Sequence, residues 1–171
     1  MQKLQIQDGR KKFKTLQQVL QHSFADKALE SSKRCTGCDG ADMKTTEKYA
    51  VMKPLPLVLI LQFKRSHFIE TSSRRSSSGS SSAPRKVYIK HAVGLDSTLD
   101  FMNAKYELMA VINFLKKKSH YTAFVKRQIG PNKVAWMEYD DQCVVDRTEQ
   151  EVLVGKKAYV LFYRRMETAS A

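Results

Sequence analysis

Tyr106-Glu107-Leu108-Met109-Ala110-Val111-Ile112-Asn113-Phe114 is followed, after the basic turn Leu115–Ser119, by His120-Tyr121-Thr122-Ala123-Phe124-Val125-Lys126. These are two β-forming runs in immediate succession. In the first, Tyr106, Leu108, Ala110, Ile112 and Phe114 alternate onto one face, because side chains in a strand repeat every two residues. Met109 and Val111 make the other face apolar too, so the run is expected at the centre of a sheet. In the second, Tyr121, Ala123 and Val125 share one face, and His120, Thr122 and Phe124 the other. Val134–Tyr139 lies beyond Gly130-Pro131-Asn132, a turn sequence that makes it the antiparallel partner of the histidine strand. Asp140 and Asp141 end that partner.

Working outward, Pro54-Leu55-Pro56 introduces Leu57–Lys64, a short and nearly continuous aliphatic run that reads as a strand buried on both faces. Glu47–Met52, Lys86–Ile89 and Ala158–Tyr163 are further strand candidates, and Cys143-Val144-Val145 reads as a buried one. Thr15 with Gln18, and Thr148 with Glu151, are capping boxes that each start a helix. The first helix carries Leu16, Val19, Leu20 and Phe24 at helical spacing, and the second runs to about Leu153. Residues 1–14 are polar and basic without a sustained period, so a loosely held basic lead-in is expected there. Residues 71–83 hold eight serines and a glycine. Such a segment buries too little apolar surface to offset its ordering entropy, and a disordered insertion is expected. The fold class is α+β: a mainly antiparallel sheet with one or two helices.

A chain of 171 residues, 42% hydrophobic and 27% charged, has the composition of one globular domain. Its net charge of +13 implies an acidic partner, a basic tail, or a missing acidic portion of a larger protein. Arg10-Lys11-Lys12 with Lys14, Arg74-Arg75, Arg85-Lys86 and Lys116-Lys117-Lys118 carry much of it, and solvated surface is the simplest account of them. Nucleic-acid binding is disfavoured, since no aromatic-rich basic strand or recognition-helix pattern accompanies the charge. Residues 1–14 lack the apolar core of a secretory signal, and Leu55–Leu61 is too short to span a bilayer. Three cysteines are no disulfide framework, which points to a reducing, intracellular setting in cytoplasm or nucleus. Cys35-x-x-Cys38 offers half of a tetrahedral zinc site.

A histidine at a strand entrance with paired acids one hairpin later is what activation of a nucleophile requires. One imidazole nitrogen takes the nucleophile's proton while an acid or amide holds the other. A surface or structural histidine satisfies the same pattern, so the residues alone leave both readings open.

The surrounding blocks are more specific. Val111-Ile112-Asn113, Ser119-His120-Tyr121-Thr122-Ala123-Phe124-Val125, Trp136-x-x-Tyr139-Asp140-Asp141 and Ala158-Tyr159-Val160-Leu161-Phe162-Tyr163 resemble, in order and spacing, the histidine box of the ubiquitin-specific proteases. Upstream, Cys35-x-x-Cys38, Lys44, Pro54-x-Pro56 and Leu59-Ile60-Leu61-Gln62-Phe63-Lys64-Arg65 resemble that family's preceding block. Together these cover roughly Leu16 to Arg165. The resemblance implies the palm of a papain-like cysteine peptidase, with residues 15–165 as the C-terminal part of the catalytic domain and 166–171 as a tail. It implies that His120 is general base and then acid, that Asp140 orients it, and that Asp141 is an adjacent acid. No catalytic cofactor is implied. A structural zinc is, but Cys35 and Cys38 would need a second thiol pair to complete it.

The sequence departs from the family pattern at three points. No cysteine precedes residue 34, so the nucleophile box, and with it the N-terminal thumb half, is expected to be absent. Ser119 replaces the glycine usual before the histidine, and Ser66 stands where an aromatic follows Lys-Arg. Three readings remain at this level. The chain is part of a deubiquitinating protease acting on ubiquitin or a ubiquitinated protein; or an inactive ubiquitin-binding or scaffold module; or a basic nucleic-acid or membrane-surface protein. The expected insertion is directly testable. Limited trypsinolysis should cut first after Arg74 or Arg75, and a fragment left intact across 71–83 would refute its disorder.

Overall fold

The structure is a computed structural model that describes residues 1–8, 11–24, 27–29, 46–48, 54–69, 85–131 and 133–167, with the backbone alone at 8, 27–29, 46–48 and 68–69. The serine-rich segment 71–83, Cys35 and Cys38 lie outside the described residues. In chain order the elements are β1 (Gln2–Gln5), β2 (Gln7–Asp8), β3 (Lys11–Lys12), α1 (Leu16–Phe24), β4 (Lys27–Leu29), β5 (Thr46–Lys48), β6 (Val58–Lys64), β7 (Ser66–Ile69) and β8 (Arg85–Tyr88). They continue as β9 (Thr98–Phe101), β10 (Ala104–Leu115), β11 (His120–Gly130), β12 (Lys133–Asp140), β13 (Cys143–Arg147), α2 (Glu149–Leu153) and β14 (Ala158–Arg165). An eight-stranded sheet in the order β1-β6-β14-β10-β11-β12-β13, with β9 on β10, organises the chain, and β7 pairs β8 in a separate hairpin. Every pairing in the large sheet is antiparallel except β1 with β6. This is the sheet-dominated α+β fold that the alternation predicts.

Both helices begin where their caps predict. The Gln18 amide donates to Thr15 Oγ1 at 3.3 Å, and Gln18 Oε1 accepts from the Lys14 amide at 2.9 Å. Thr148 and Glu151 form the complete reciprocal box. Leu16, Val19 and Leu20 of α1 and Val152 of α2 are buried in one core with Leu59, Leu61, Phe63, Leu108, Val111, Leu161 and Tyr163. Each such side chain contributes roughly 1.5–3 kcal/mol of transfer free energy.

Four expectations need correction. The lead-in is not loose: β1 runs parallel to β6 through Gln2↔Leu61 and Leu4↔Phe63, and Leu4, Ile6 and Phe13 are at most 3% exposed. Leu4 and Ile6 at strand spacing anchor the edge of the sheet and Phe13 adds a third buried side chain, and the basic composition masks them. β6 is not buried on both faces. Leu59, Leu61 and Phe63 are buried, Ile60 and Gln62 are half-covered, and Leu57 and Val58 are exposed, because the main core lies on one side of the sheet. In β10 the strict alternation fails. Its register with β14 slips between Leu108 and Ala110, so Tyr106 and Leu108 share the core face with Val111 and Asn113, not with Ala110 and Ile112. Finally, Cys143-Val144-Val145 is a strand but an exposed one, since β13 is the outermost strand of the sheet.

Arg65, between β6 and β7, is 2% exposed. Its Nε donates to the Ala158 carbonyl, Nη1 to the carbonyls of His91 (3.0 Å) and Ile89 (3.4 Å), and Nη2 to that of Gly155 (3.1 Å). Gly155 sits at φ +60°, and a Cβ there would fall 2.0 Å from the Val93 carbonyl oxygen, so only glycine fits. Arg65→Ala should lower the unfolding free energy by about 3 kcal/mol or more, because it strands several buried carbonyls. Arg65→Lys should recover only part, lacking the planar fork. Urea denaturation measures both, and a loss below about 1 kcal/mol for the alanine variant would show that water replaces the guanidinium without cost.

Candidate functional site

β11 pairs β10 with Asn113 opposite Thr122 and Leu115 opposite His120. On its other side β11 pairs β12 with Ala123 opposite Tyr139, a register that carries Asp140 alongside Thr122. Because Thr122 and His120 are two residues apart, they share a face, and Asp140 joins them diagonally across the strands. His120 Nε2 lies 2.6 Å from Asp140 Oδ1 and 3.9 Å from Asp141 Oδ2. His120 is 26% exposed, Asp140 47% and Asp141 81%, so the dyad opens to solvent on one side. With Nε2 engaged by the carboxylate, Nδ1 is the nitrogen left to exchange a proton with a reacting group.

The backbone on both sides of the dyad is constrained. The turn Lys116–Lys118 is a single 3₁₀ turn that ends on Ser119 in the left-handed region, at φ 49° and ψ 39°. A left-handed residue here reverses the chain directly into His120, a conformation that glycine adopts at least cost. Asp141, at φ 52°, begins the tight turn that links β12 to β13, where Asp140 faces Cys143. That turn projects Asp141 outward and leaves Asp140 on the strand beside the imidazole.

Beneath His120 the Asn113 Nδ2 donates to Thr122 Oγ1 at 3.4 Å, with both residues only 4% exposed. This buried polar pair belongs to the floor of the site. It drew no role in the sequence analysis, although the shared parity of Thr122 and His120 was the available signal. The sequence analysis singled out His120, Asp140 and Asp141, and the structure brings all three together. Cys35 and Cys38 supply two of the four donors of a tetrahedral zinc and lie outside the described residues. The remaining thiol, Cys143, is exposed on the hairpin beside Asp140, so the chain's own cysteines do not fit a complete thiolate site. One ligand-type atom from each of His120, Asp140 and Asp141 falls within 4.8 Å of the others. Asp140 already occupies Nε2, and a cation there would compete with that bond.

Against known proteins, the family model described as ubiquitin carboxyl-terminal hydrolase matches residues 1–163. Ubiquitin carboxyl-terminal hydrolase 15 from Homo sapiens is 40% identical over 68 residues, spanning 39% of this chain and 6% of the relative. The Rattus norvegicus protein of the same name gives the same identity over 7% of its length. Among solved structures, the Ubp8/Sgf11/Sus1/Sgf73 SAGA DUB module bound to monoubiquitin superposes with a TM-score of 0.72 at 22% identity, covering 97% of this chain and 35% of that one. The same module bound to ubiquitin aldehyde gives 0.69 at 23% identity, over 97% and 36%. The chain thus spans about a third of the solved chains that share its fold.

Ser119 offers a test of the constrained approach to His120. Ser119→Gly should raise the unfolding free energy by about 0.5–1 kcal/mol, and Ser119→Val should lower it, since a β-branched residue tolerates the left-handed region worst. Thermal melts of the three proteins decide it, and equal midpoints would mean that residue 119 is not held left-handed in solution.

Proposed function

The chain belongs to the ubiquitin carboxyl-terminal hydrolase family, and from that premise we propose that it supplies the histidine and aspartate of a deubiquitinating cysteine peptidase whose nucleophile lies on other sequence. The observation that carries this reading is the 2.6 Å bond between His120 Nε2 and Asp140, which leaves Nδ1 as the nitrogen outside that bond. The substrate class is an amide or isopeptide bond at the C-terminus of ubiquitin.

In this reading Nδ1 of His120 takes the proton of a cysteine thiol, and the thiolate adds to the scissile carbonyl carbon. The tetrahedral intermediate collapses as the imidazolium returns that proton to the leaving amine, which departs and leaves a thioester. Water then adds with His120 as base, the carboxylate product leaves, and the thiol is re-protonated. Asp140 holds the ring through Nε2–H and stabilises the transient imidazolium. Asp141 is a second negative charge near the same nitrogen, able to take over part of the orienting role if Asp140 is lost. Cys143 is not assigned as nucleophile, because Asp140 opposes it on the strand while Nδ1 is the nitrogen that needs the thiol.

The test is a ubiquitin C-terminal reporter assay. The chain alone should show no turnover that depends on His120. Joined to the nucleophile-bearing half of a family member, it should gain turnover that His120→Ala lowers on the order of 10²–10⁴-fold. Asp140→Ala should have a smaller effect and Asp140→Ala/Asp141→Ala a larger one. Turnover by the isolated chain, lost in both His120→Ala and Cys143→Ala, would make Cys143 the nucleophile and overturn the assignment. A joined protein that binds ubiquitin but never turns over would favour an inactive binding module instead.

A further inference from the structure

A second concavity lies away from the dyad. A pocket of about 430 Å³ opens between Lys11–Lys14 and the Gln18–His22 stretch of α1. The helix packs on β1, which is four strands from β11 in the order β1-β6-β14-β10-β11. Backbone bonds pin the walls. The Phe13 amide donates to the Ile6 carbonyl at 3.2 Å, the Gly94 amide to the Lys14 carbonyl at 2.8 Å, and the Lys14 amide to Gln18 Oε1 at 2.9 Å. Phe13, only 3% exposed, is the floor. Its ring centre lies 4.7 Å from that of His22, and Lys11 Nζ stands 5.7 Å over it.

The rim is made of donors. Lys11, Lys12 and Lys14 are exposed and bring three ammonium groups within four positions of chain. Gln18 spends its oxygen on the Lys14 amide, which leaves its NH₂ group to donate. Residues 11–24 contain no Asp or Glu. Among the described residues none of the three lysines forms an ion pair, whereas Lys126, Arg147 and Arg164 are all paired with glutamates. A cleft lined by charge of one sign focuses its field and concentrates counter-ions inside it.

We propose that this pocket binds a small, soluble polyphosphorylated anion, an assignment that goes beyond the hydrolase reading and does not depend on it. Its volume falls in the range of small-molecule sites, roughly 300–1,000 Å³. Ammonium groups act as point charges that suit phosphate oxygens, and three of them in a row match a chain of phosphates better than a single carboxylate. The phosphates carry the affinity, not a base: Phe13 is covered and its ring faces His22, so no open aromatic face is left for stacking. The same absence disfavours a single-stranded nucleic acid. A membrane surface is disfavoured too, because no large apolar side chain is exposed among residues 11–24 to enter lipid.

The test is calorimetric titration of the full chain at about 0.15 M salt with inorganic tripolyphosphate, ATP and orthophosphate. One tripolyphosphate per chain is expected, with ATP within about threefold and orthophosphate weaker by about tenfold or more. Lys11→Ala/Lys12→Ala/Lys14→Ala should weaken tripolyphosphate about tenfold or more, and Gln21→Glu, which sets a carboxylate at the mouth, about threefold or more. Lys116→Ala/Lys117→Ala/Lys118→Ala, an exposed run of equal charge, should change it by less than about twofold. Equal losses in the two triple variants would reduce the effect to net charge and overturn the proposal. So would the absence of saturable binding, or orthophosphate binding as tightly as tripolyphosphate, which would leave an adventitious ion only. Vesicles carrying a bisphosphorylated inositol lipid, if they bind the chain more tightly than the soluble headgroup does, would make the partner a membrane and sink the soluble ligand. Turnover is not measured in any arm, so failure of the hydrolase reading and failure of this site are read separately.

Discussion

The guanidinium of Arg65 is a positive charge at 2% exposure whose hydrogen-bond partners among the described residues are all backbone carbonyls. A buried arginine without a carboxylate is tolerable only if its fork is saturated, and saturating it dictates where the other segments lie. The carbonyls come from positions 24 to 93 residues away, so one side chain holds the end of β6, the segment before β9 and the loop before β14 in one place. Ala158, one of its acceptors, is the strand partner of Asn113. Asn113 bonds Thr122, and Thr122 shares a face with His120. The site's floor is thus coupled by direct contacts to a group well inside the molecule.

Much of this architecture was legible from period and caps alone. The two capping boxes, the central position of β10 and the β11–β12 pairing follow from residues that act locally, because a cap or a tight turn is completed within a few positions of chain. What failed depended on packing between distant segments. The bulge between Leu108 and Ala110 moves Val111 and Asn113 onto the core face, and nothing in Leu108-Met109-Ala110 announces it, since all three are apolar and fit either side. The exposure of Cys143-Val144-Val145 is a matter of β13 being last in the sheet, which a strand's own letters do not encode. Residues 2–6 were misread for the opposite reason: a charge-rich composition hid two apolar side chains at strand spacing.

The site divides in the same way. His120, Asp140 and Asp141 are readable because β11 and β12 are consecutive strands joined by a tight turn, although their register slips between Gln128 and Gly130. Asn113 and Thr122 were visible as letters but not as a buried pair. Arg65 is the extreme case. As a sequence it is Lys64-Arg65 after an apolar run, which looks like solvated charge. Lys64 is exposed and Arg65 is not, and the difference lies entirely in carbonyls that other segments bring to it.

The net charge of +13 gains meaning only when the pairs are removed from it. Glu107 serves both Lys126 and Arg164, and its carboxyl is held below the usual range first by the hydrogen bond from Lys126. Glu138 and Glu151 are taken by Arg147. Glu107 and Glu138 of the sheet are therefore committed to cations, while Lys116, Lys117, Lys118, Lys156 and Lys157 lie on segments that themselves contain no acid. Lys116, Lys117 and Lys118 precede His120 in the chain, yet the group in direct contact with its ring is the Asp140 carboxylate at 2.6 Å, and direct contact outweighs more distant, solvent-screened charge.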